Sequence, residues 1–136
     1  MSRGSEMCIR DRFKDDMGRV EIHYDKCIGC RICMAACPYN ARVFNWSEPE
    51  RDPNWNYGDK DVPVRPKGVA EKCTLCKERT DRGDIPMCVR VCPGRARVYG
   101  DLDDPESEIS KVVRENHAYQ LLEEFGTRPQ LRYYNA

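Results

Sequence analysis

The sequence predicts an α+β fold of short strands and helical turns around cysteine-rich loops, and three observations support this prediction. Apolar content is low: 40% of the 136 residues are hydrophobic, 34% are charged, and only three are Phe and two are Trp. Eight of the nine cysteines fall into two regularly spaced groups. Short runs typical of strands flank each group. A chain with so little material for an apolar core is expected to rely on internal staples such as disulfides or bound metal.

The charge balance bears on which partners the chain is expected to have. Basic and acidic residues number 23 each, so nothing in the total charge favours nucleic acid or an anionic membrane surface. No apolar run approaches the ~20 residues that a transmembrane helix needs. We therefore expect no direct membrane span, and any membrane association is expected to go through a partner subunit.

The first cysteine motif consists of Cys27, Cys30, Cys33 and Cys37, followed by Pro38. This C-x2-C-x2-C-x3-C-P spacing is that of bacterial ferredoxins, which bind 4Fe–4S clusters. The first three thiolates surround one cluster, and the fourth points toward a second. Gly29 is expected to let the loop backbone approach the cluster closely, where N–H groups can donate to sulfur.

The second motif consists of Cys73, Cys76, Cys88 and Cys92. It keeps the C-x2-C opening and the C-x3-C-P ending, but residues 77–87 separate the two halves. This insert is mostly charged and turns at Gly83, so we expect an exposed excursion from the cluster loop. The eight cysteines of the two motifs are the predicted ligands of two 4Fe–4S clusters.

Two other uses of these cysteines are possible. The spacing of the second motif alone is compatible with a zinc site in a structural interaction module. A secreted disulfide scaffold is the other alternative. The first motif argues against both, because four cysteines within eleven positions are not a usual zinc arrangement and its C-x2-C steps are too short to pair well.

Side chains around the motifs suit an electron relay. Apolar residues are expected to limit water at the clusters: Ile28, Ile32, Leu75, Val89 and Val91. Cations near an anionic cluster should raise its reduction potential, and the candidates are Lys26, Arg31, Lys72, Arg90, Arg95 and Arg97. For any single cation, a solubilising surface charge is the simpler interpretation.

Four segments carry a family resemblance: KCIGCR at 26–31, ACPYNA at 36–41, EKCTLC at 71–76 and GDLDDP at 100–105. On these segments, residues 25–134 resemble the iron–sulfur electron-transfer subunits of the dimethyl sulfoxide reductase family of molybdopterin oxidoreductases, including members similar to polysulfide and tetrathionate reductases. The resemblance implies a ferredoxin-like fold and single-electron transfer without catalysis by this chain. It implies two partners, a molybdopterin-containing catalytic subunit and a quinone-linked membrane subunit. The family works on either face of the inner membrane, and we expect the periplasmic or outer face for this chain.

The same resemblance leaves the pairing of ligands open. Family members carry four cysteine groups and four clusters, and this chain matches the third and fourth groups. In a stand-alone two-cluster ferredoxin, Cys92 would complete the cluster of the first motif and Cys37 that of the second. In the four-cluster family each motif would instead share its ligands with an upstream group. A stand-alone ferredoxin, or one associated with a hydrogenase or dehydrogenase, is therefore the alternative within the redox class.

Residues 1–12 are predicted to be a non-native leader joined to an N-terminally truncated reading frame, because they show neither periodicity nor a partner motif; Cys8 is then not a ligand. The predicted 4Fe–4S domain spans 13–100 and a helical extension spans 101–136. Strands are expected at 19–24, 41–46 and 96–99, and helices at 107–114, with an acidic start at 103–106, and at 118–125. An extended tail is expected at 129–134. The long loop 47–66 is expected either to pack on a partner subunit or to fold back on its own domain.

Overall fold

A computed structural model describes residues 11–50, 52–55 and 58–135. The chain divides into two compact units, Met1–Arg82 and Gly83–Ala136, so the division falls inside the second cysteine motif. Among the described residues the buried apolar side chains are few: Ile22, Cys33, Val69 and Ala70. This small core agrees with the low apolar content of the sequence.

A β-hairpin precedes the first motif. Strand β1 (Arg12–Lys14) pairs antiparallel with β2 (Val20–Ile22), with Phe13 opposite Glu21. The turn between them closes through hydrogen bonds from Gly18 N to the Asp15 carbonyl and from Asp15 N to the Arg19 carbonyl, both 2.9 Å. The strand predicted at 19–24 is confirmed as β2, although it is shorter, and its partner β1 was not predicted. Residues 1–10, including Cys8, lie outside the described part of the chain.

A second antiparallel pair brackets the long loop. Strand β3 (Val43–Phe44) pairs with β4 (Ala70–Glu71), with Phe44 opposite Ala70. The pairing continues beyond the strands, because Asn45 N donates to the Val69 carbonyl at 3.0 Å. The strand predicted at 41–46 is thus confirmed in its central residues.

The end of loop 47–66 makes contacts within its own unit. Arg65 Nε donates to the Tyr24 hydroxyl at 3.1 Å and lies 3.8 Å from a carboxylate oxygen of Glu71. Further along the unit, Arg82 pairs with Asp59 and Asp61. These contacts fit the loop that folds back on its own domain. Trp55 is nevertheless two-thirds exposed.

The described residues form four short helices, of which the first three lie within the cysteine motifs. Helices α1 (Ile32–Ala35), α2 (Lys77–Thr80) and α3 (Met87–Arg90) have four residues each, and α4 (Glu108–Glu115) has eight. The helix predicted at 107–114 is confirmed as α4, one residue later. Its N-cap is Ser107, whose hydroxyl accepts from Ser110 N at 3.3 Å, and not the acidic stretch expected at 103–106.

Two predicted elements are wrong, the helix at 118–125 and the strand at 96–99. Residues 118–125 form only a 3-10 turn, Glu123–Phe125, because Leu122 has a positive φ of 52° that a right-handed helix cannot accommodate. Tyr119 instead forms an antiparallel bridge with Tyr133, so the extended tail is confirmed at that point. The strand expected at 96–99 does not form in the described structure, where no neighbouring strand pairs with it.

Candidate metal centres

The first cysteine loop has a backbone shaped by two left-handed residues. A 3-10 turn, Tyr24–Lys26, leads into Cys27, whose N–H donates to the Tyr24 carbonyl at 3.3 Å. Gly29 and Arg31 then have positive φ values of 68° and 59° on either side of Cys30. Helix α1 begins directly after Arg31, so Cys27 and Cys30 lie on the segment that leads from the 3-10 turn into this helix, and Cys33 lies on the helix itself.

The last two cysteines of this motif lie on and just after α1. Cys33 is on the helix and is the most enclosed of the eight candidate ligands, with 8% of its surface exposed. Cys37 follows the helix, and a turn after it is closed by Asn40 N, which donates to the Cys37 carbonyl at 3.3 Å. Asn40 has a positive φ of 50°. The helix ends at Ala35, three residues before Pro38.

Gly29 is required by packing as well as by its φ. A Cβ atom at this position would lie 2.3 Å from the Gly68 carbonyl oxygen and 3.5 Å from the Phe44 ring. The backbone before β4 therefore passes directly over the first loop. A side chain at position 29 would push the two backbone segments apart.

Arg31 does not simply point into solvent as an isolated cation. Its guanidinium carbon lies 4.9 Å from the centroid of the Trp46 ring and 5.6 Å from that of Phe44. Both distances are typical of cation–π contacts. The rings themselves meet edge to face, with centroids 4.7 Å apart. Arg31 thus links the first cysteine loop to the end of β3.

The first half of the second motif shares one left-handed position with the first loop, because Leu75, like Gly29, is the third residue of its C-x2-C pair. Leu75 and Cys76 have positive φ values of 54° and 50°. Leu75 N donates to the Cys73 sulfur at 3.4 Å, the kind of N–H···S contact that stabilises a thiolate. Helix α2 begins directly after Cys76, whose carbonyl accepts from Arg79 N at 2.8 Å and Thr80 N at 3.0 Å.

The second half of this motif belongs to the second unit. Cys88 lies on α3, and Cys92 follows the helix. As after Cys37, a turn closes behind the last cysteine: Arg95 N donates to the Cys92 carbonyl at 3.2 Å, and Arg95 has a positive φ of 48°. Arg90, one of the predicted cations near the ligands, lies 3.4 Å from an Asp84 carboxylate oxygen.

The start of the insert is not the exposed excursion that the sequence predicts. Arg19, at the end of the hairpin turn, is buried and donates to Asp15 at 2.7 Å, Thr80 at 2.5 Å and Asp81 at 2.5 Å. Lys77 also lies 2.5 Å from Asp81. Sequence reasoning missed this network, because its members are separated by about sixty residues and no local pattern joins them.

These contacts lower the pKa of two carboxyl groups. Burial acts to raise the pKa of Asp15, but the hydrogen bonds and charge of Arg19 outweigh it and lower that pKa. Hydrogen bonds from Lys77 and Arg19 lower the pKa of Asp81. Both groups therefore stay ionised at lower pH than an isolated aspartate would.

Two other charged side chains near the loops have pKa values that are shifted toward their neutral forms. Glu21 on β2 is buried, its Oε1 has no hydrogen-bond partner among the residues that the structure describes, and burial raises its pKa. Burial likewise lowers the pKa of Lys72, although attraction to Glu21 opposes this change. Lys72 Nζ donates to the Cys73 carbonyl at 2.7 Å. Neither environment was evident from the sequence.

The apolar sheath expected around the clusters is not buried in this chain. Exposed fractions are 65% for Ile28, 50% for Ile32, 42% for Leu75 and 64% for Val91. The few buried apolar side chains of the described residues lie elsewhere, on β2, on α1 and at the start of β4.

The chemistry of the donor set fits iron–sulfur clusters. Cysteines 27, 30, 33, 37, 73, 76, 88 and 92 all carry free thiols, so no disulfide uses them. Across the described residues, however, no three Cys, His, Asp or Glu side chains are arranged to hold a metal ion. The ligand assignment therefore depends on the spacing, the free thiols and the loop backbone.

Known protein families match both motifs. Residues 20–43 match the 4Fe-4S binding domain, and residues 61–102 match the 4Fe-4S dicluster domain. The α+β ferredoxin-type fold and the 4Fe–4S cofactor predicted from the sequence are thereby confirmed.

Curated relatives are similar over most of the chain. It is 58% identical over 127 residues to a Halobacterium salinarum protein provisionally named as a dimethyl sulfoxide reductase iron-sulfur subunit, and the match covers 93% of this chain and 48% of that protein. It is 42% identical over 135 residues to a selenate reductase subunit of Mesobacillus selenatarsenatis, covering 89% and 46%. The chain belongs to the family of iron–sulfur subunits of molybdopterin oxidoreductases.

Another member of this family is the arsenate respiratory reductase iron-sulfur subunit ArrB of Shewanella sp., 38% identical over 149 residues that cover 88% of this chain and 64% of that protein. The chain spans about half the length of the first two relatives. The described part of this iron–sulfur chain contains no helix that is long and apolar enough to cross a membrane.

Proposed function

We propose that this chain relays single electrons through 4Fe–4S clusters ligated by its eight motif cysteines: Cys27, Cys30, Cys33 and Cys37 in the first motif, and Cys73, Cys76, Cys88 and Cys92 in the second. The observation that carries the proposal is the repeated backbone shape of the two motifs. Each C-x2-C pair has a left-handed residue at its third position, and each C-x3-C-P ending closes a turn with a positive φ three residues after its last cysteine. When bound, a 4Fe–4S cluster accepts and releases one electron.

The protein residues hold and surround the cofactor and do not react themselves. Thiolates supply the ligands, and backbone N–H groups such as that of Leu75 donate toward their sulfur atoms. Nearby cations such as Lys72 oppose the negative charge gained on reduction. The proposed role is accordingly electron transfer without catalysis by this chain.

The proposed partners are a molybdopterin-containing catalytic subunit and a quinone-linked membrane subunit. What supports this is the kind of complex to which the relatives belong: a selenate reductase, an arsenate respiratory reductase and, in Nitratidesulfovibrio vulgaris, a menaquinone reductase. The chain would then associate with the membrane through its partner, on the periplasmic or outer face. Within loop 47–66, whose end is held in its own unit, the exposed Trp55 is the proposed contact with a partner subunit.

Anaerobic reconstitution of the 136-residue chain tests the electron-relay role. Iron, sulfide and zinc are quantified, and dithionite-reduced samples are examined by EPR and by redox titration. We expect iron and sulfide in equal amounts and a reducible paramagnetic signal. Stoichiometric zinc without such a signal would support a structural zinc module instead.

Iron stoichiometry also separates the two possible ligand pairings. Eight irons per chain with two reducible clusters would indicate that the two motifs complete each other, as in a two-cluster ferredoxin. Clearly fewer irons, restored when upstream cysteine groups are added, would indicate the four-cluster arrangement. Serine replacement of Cys92 also distinguishes the two pairings. Only in the two-cluster ferredoxin arrangement does Cys92 ligate the same cluster as Cys27, Cys30 and Cys33.

A further inference from the structure

The loop that carries Cys73 and Cys76 has an unfavourable backbone conformation. Leu75 and Cys76 are consecutive residues with positive φ, and neither is a glycine. A Cβ atom makes this region costly, and such residues persist only where their surroundings hold them. The fold must therefore supply contacts that fix this loop.

Those contacts converge on the carbonyl oxygen of Cys76. It accepts from the N–H groups of Arg79 and Thr80, which lie in the first turn of α2. The Thr80 hydroxyl lies 3.3 Å from the same oxygen and 3.2 Å from the Lys77 carbonyl, so it can donate to either. That hydroxyl also accepts a hydrogen bond of 2.5 Å from Arg19 Nη1.

Arg19 is itself held firmly. Its side chain is 5% exposed, and its planar guanidinium donates to Asp15 through Nε and to Asp81 through Nη2 while Nη1 reaches Thr80. Because these donors have fixed directions, the position of the hairpin turn determines the position of Thr80. A continuous path of hydrogen bonds thus joins the β1–β2 hairpin to the backbone of a candidate ligand.

We infer that Arg19 and Thr80 form a positioning pair that holds the Leu75–Cys76 backbone and so directs the Cys73 and Cys76 thiols toward their metal. The identity of that metal rests on the proposed function. The holding of the loop is a property of the chain itself and is measurable without metal.

The test compares three variants of the full chain with the wild type. Thr80→Val removes the hydroxyl but keeps the size and branching of the side chain, whereas Thr80→Ser keeps the hydroxyl. Arg82→Gln is the matched control, because Arg82 also forms ion pairs with two aspartates, Asp59 and Asp61, and is exposed. Amide hydrogen exchange of residues 73–80 is measured in the metal-free chain. The rate of iron loss to a chelator and the midpoint potentials are measured after anaerobic reconstitution.

We expect Thr80→Val to accelerate both amide exchange at 73–80 and iron loss by roughly tenfold, the effect of one lost hydrogen bond to a charged group. One cluster signal should shift in potential while the other stays unchanged. Thr80→Ser and Arg82→Gln should remain within about twofold of the wild type. Recovery in the serine variant separates the hydroxyl contact from simple packing.

Equal amide exchange in Thr80→Val and the wild type, including no protection in either, would overturn the inference whatever the metal content. If the wild-type chain takes up no iron, the proposed function fails, but the exchange comparison still decides whether the Thr80 hydroxyl, which accepts from Arg19, holds the loop. If iron binding is normal and Thr80→Val changes neither exchange nor iron loss, the positioning pair alone is refuted.

Discussion

The two C-x2-C loops adopt the same left-handed turn at their third position, but one places Gly29 there and the other Leu75. In the first loop the Gly68 carbonyl passes so close that no Cβ fits. In the second loop the corresponding side chain is 42% exposed, so a Cβ is tolerated and only the backbone strain remains. The comparison shows that packing of another chain segment, more than the turn itself, decides where glycine is required.

The two loops also differ in the contacts that hold them in place. The first continues directly into α1, and Arg31 stacks on the aromatic residues Phe44 and Trp46. The second is followed by an insert, and the ion pairs of Arg19 with Asp15 and Asp81 bind the start of that insert to the hairpin. The first loop is thus held by close backbone packing and cation–π contacts, and the second by hydrogen bonds and ion pairs.

The largest expected effect is that of Gly29→Ala. The new Cβ must displace the Gly68 carbonyl and adopt a positive φ, so the free energy of unfolding should fall by about 3 kcal/mol or more. Urea unfolding followed by circular dichroism measures it, together with iron uptake by the first motif. Gly83→Ala is the control, because Gly83 has a similar φ of 78° but open space around it. A loss of equal size in both variants would contradict the packing argument.

A smaller effect, and one that depends on pH, is expected for Asp81→Asn. The lowered pKa of Asp81 means that its carboxylate stabilises the fold above the unfolded pKa near 4, and that this contribution disappears as the pH falls through the lower folded pKa. The variant should therefore be less stable than the wild type at pH 7, and the two should converge as the pH falls below the lowered folded pKa of Asp81. Its side chain is 41% exposed, so added salt should also reduce the difference.

Urea titrations of the wild type and Asp81→Asn at several pH values and two salt concentrations provide this measurement. A stability difference that persists unchanged into acid would show that Asp81 acts through its shape and not through its charge.

The smallest effect is expected for Leu75→Gly. Glycine relieves the strain of a positive φ but loses more conformational entropy on folding, and these terms nearly cancel. The free energy of unfolding should change by less than about 1 kcal/mol, with iron content unchanged. A loss above ~2 kcal/mol would indicate that the Leu75 side chain contributes packing that its exposure does not suggest.

Local sequence signals predicted the local structure well. Helix α4 was predicted within one residue of its position, since the acidic stretch and the proline that announce its start are its immediate neighbours in sequence. The strand predicted at 19–24 and the one at 41–46 were also found at their centres. The helix predicted at 118–125 failed because Leu122 has a positive φ and Tyr119 pairs with Tyr133, a partner that local periodicity cannot reveal. Residues 96–99 likewise resemble a strand, but a strand forms only where a neighbour supplies hydrogen bonds.

The sequence by itself determined the chemistry of this iron–sulfur chain. The spacing of its cysteines is a property of short segments, and it was enough to predict the α+β class, the 4Fe–4S cofactor and the eight candidate ligands. Only the tertiary structure decided why Gly29 cannot carry a side chain and which residues hold the strained turn at Leu75 and Cys76. Those answers depend on Gly68 and Arg19, which lie far along the chain from the segments that they contact. Contacts between residues so far apart in sequence cannot be inferred from a local pattern.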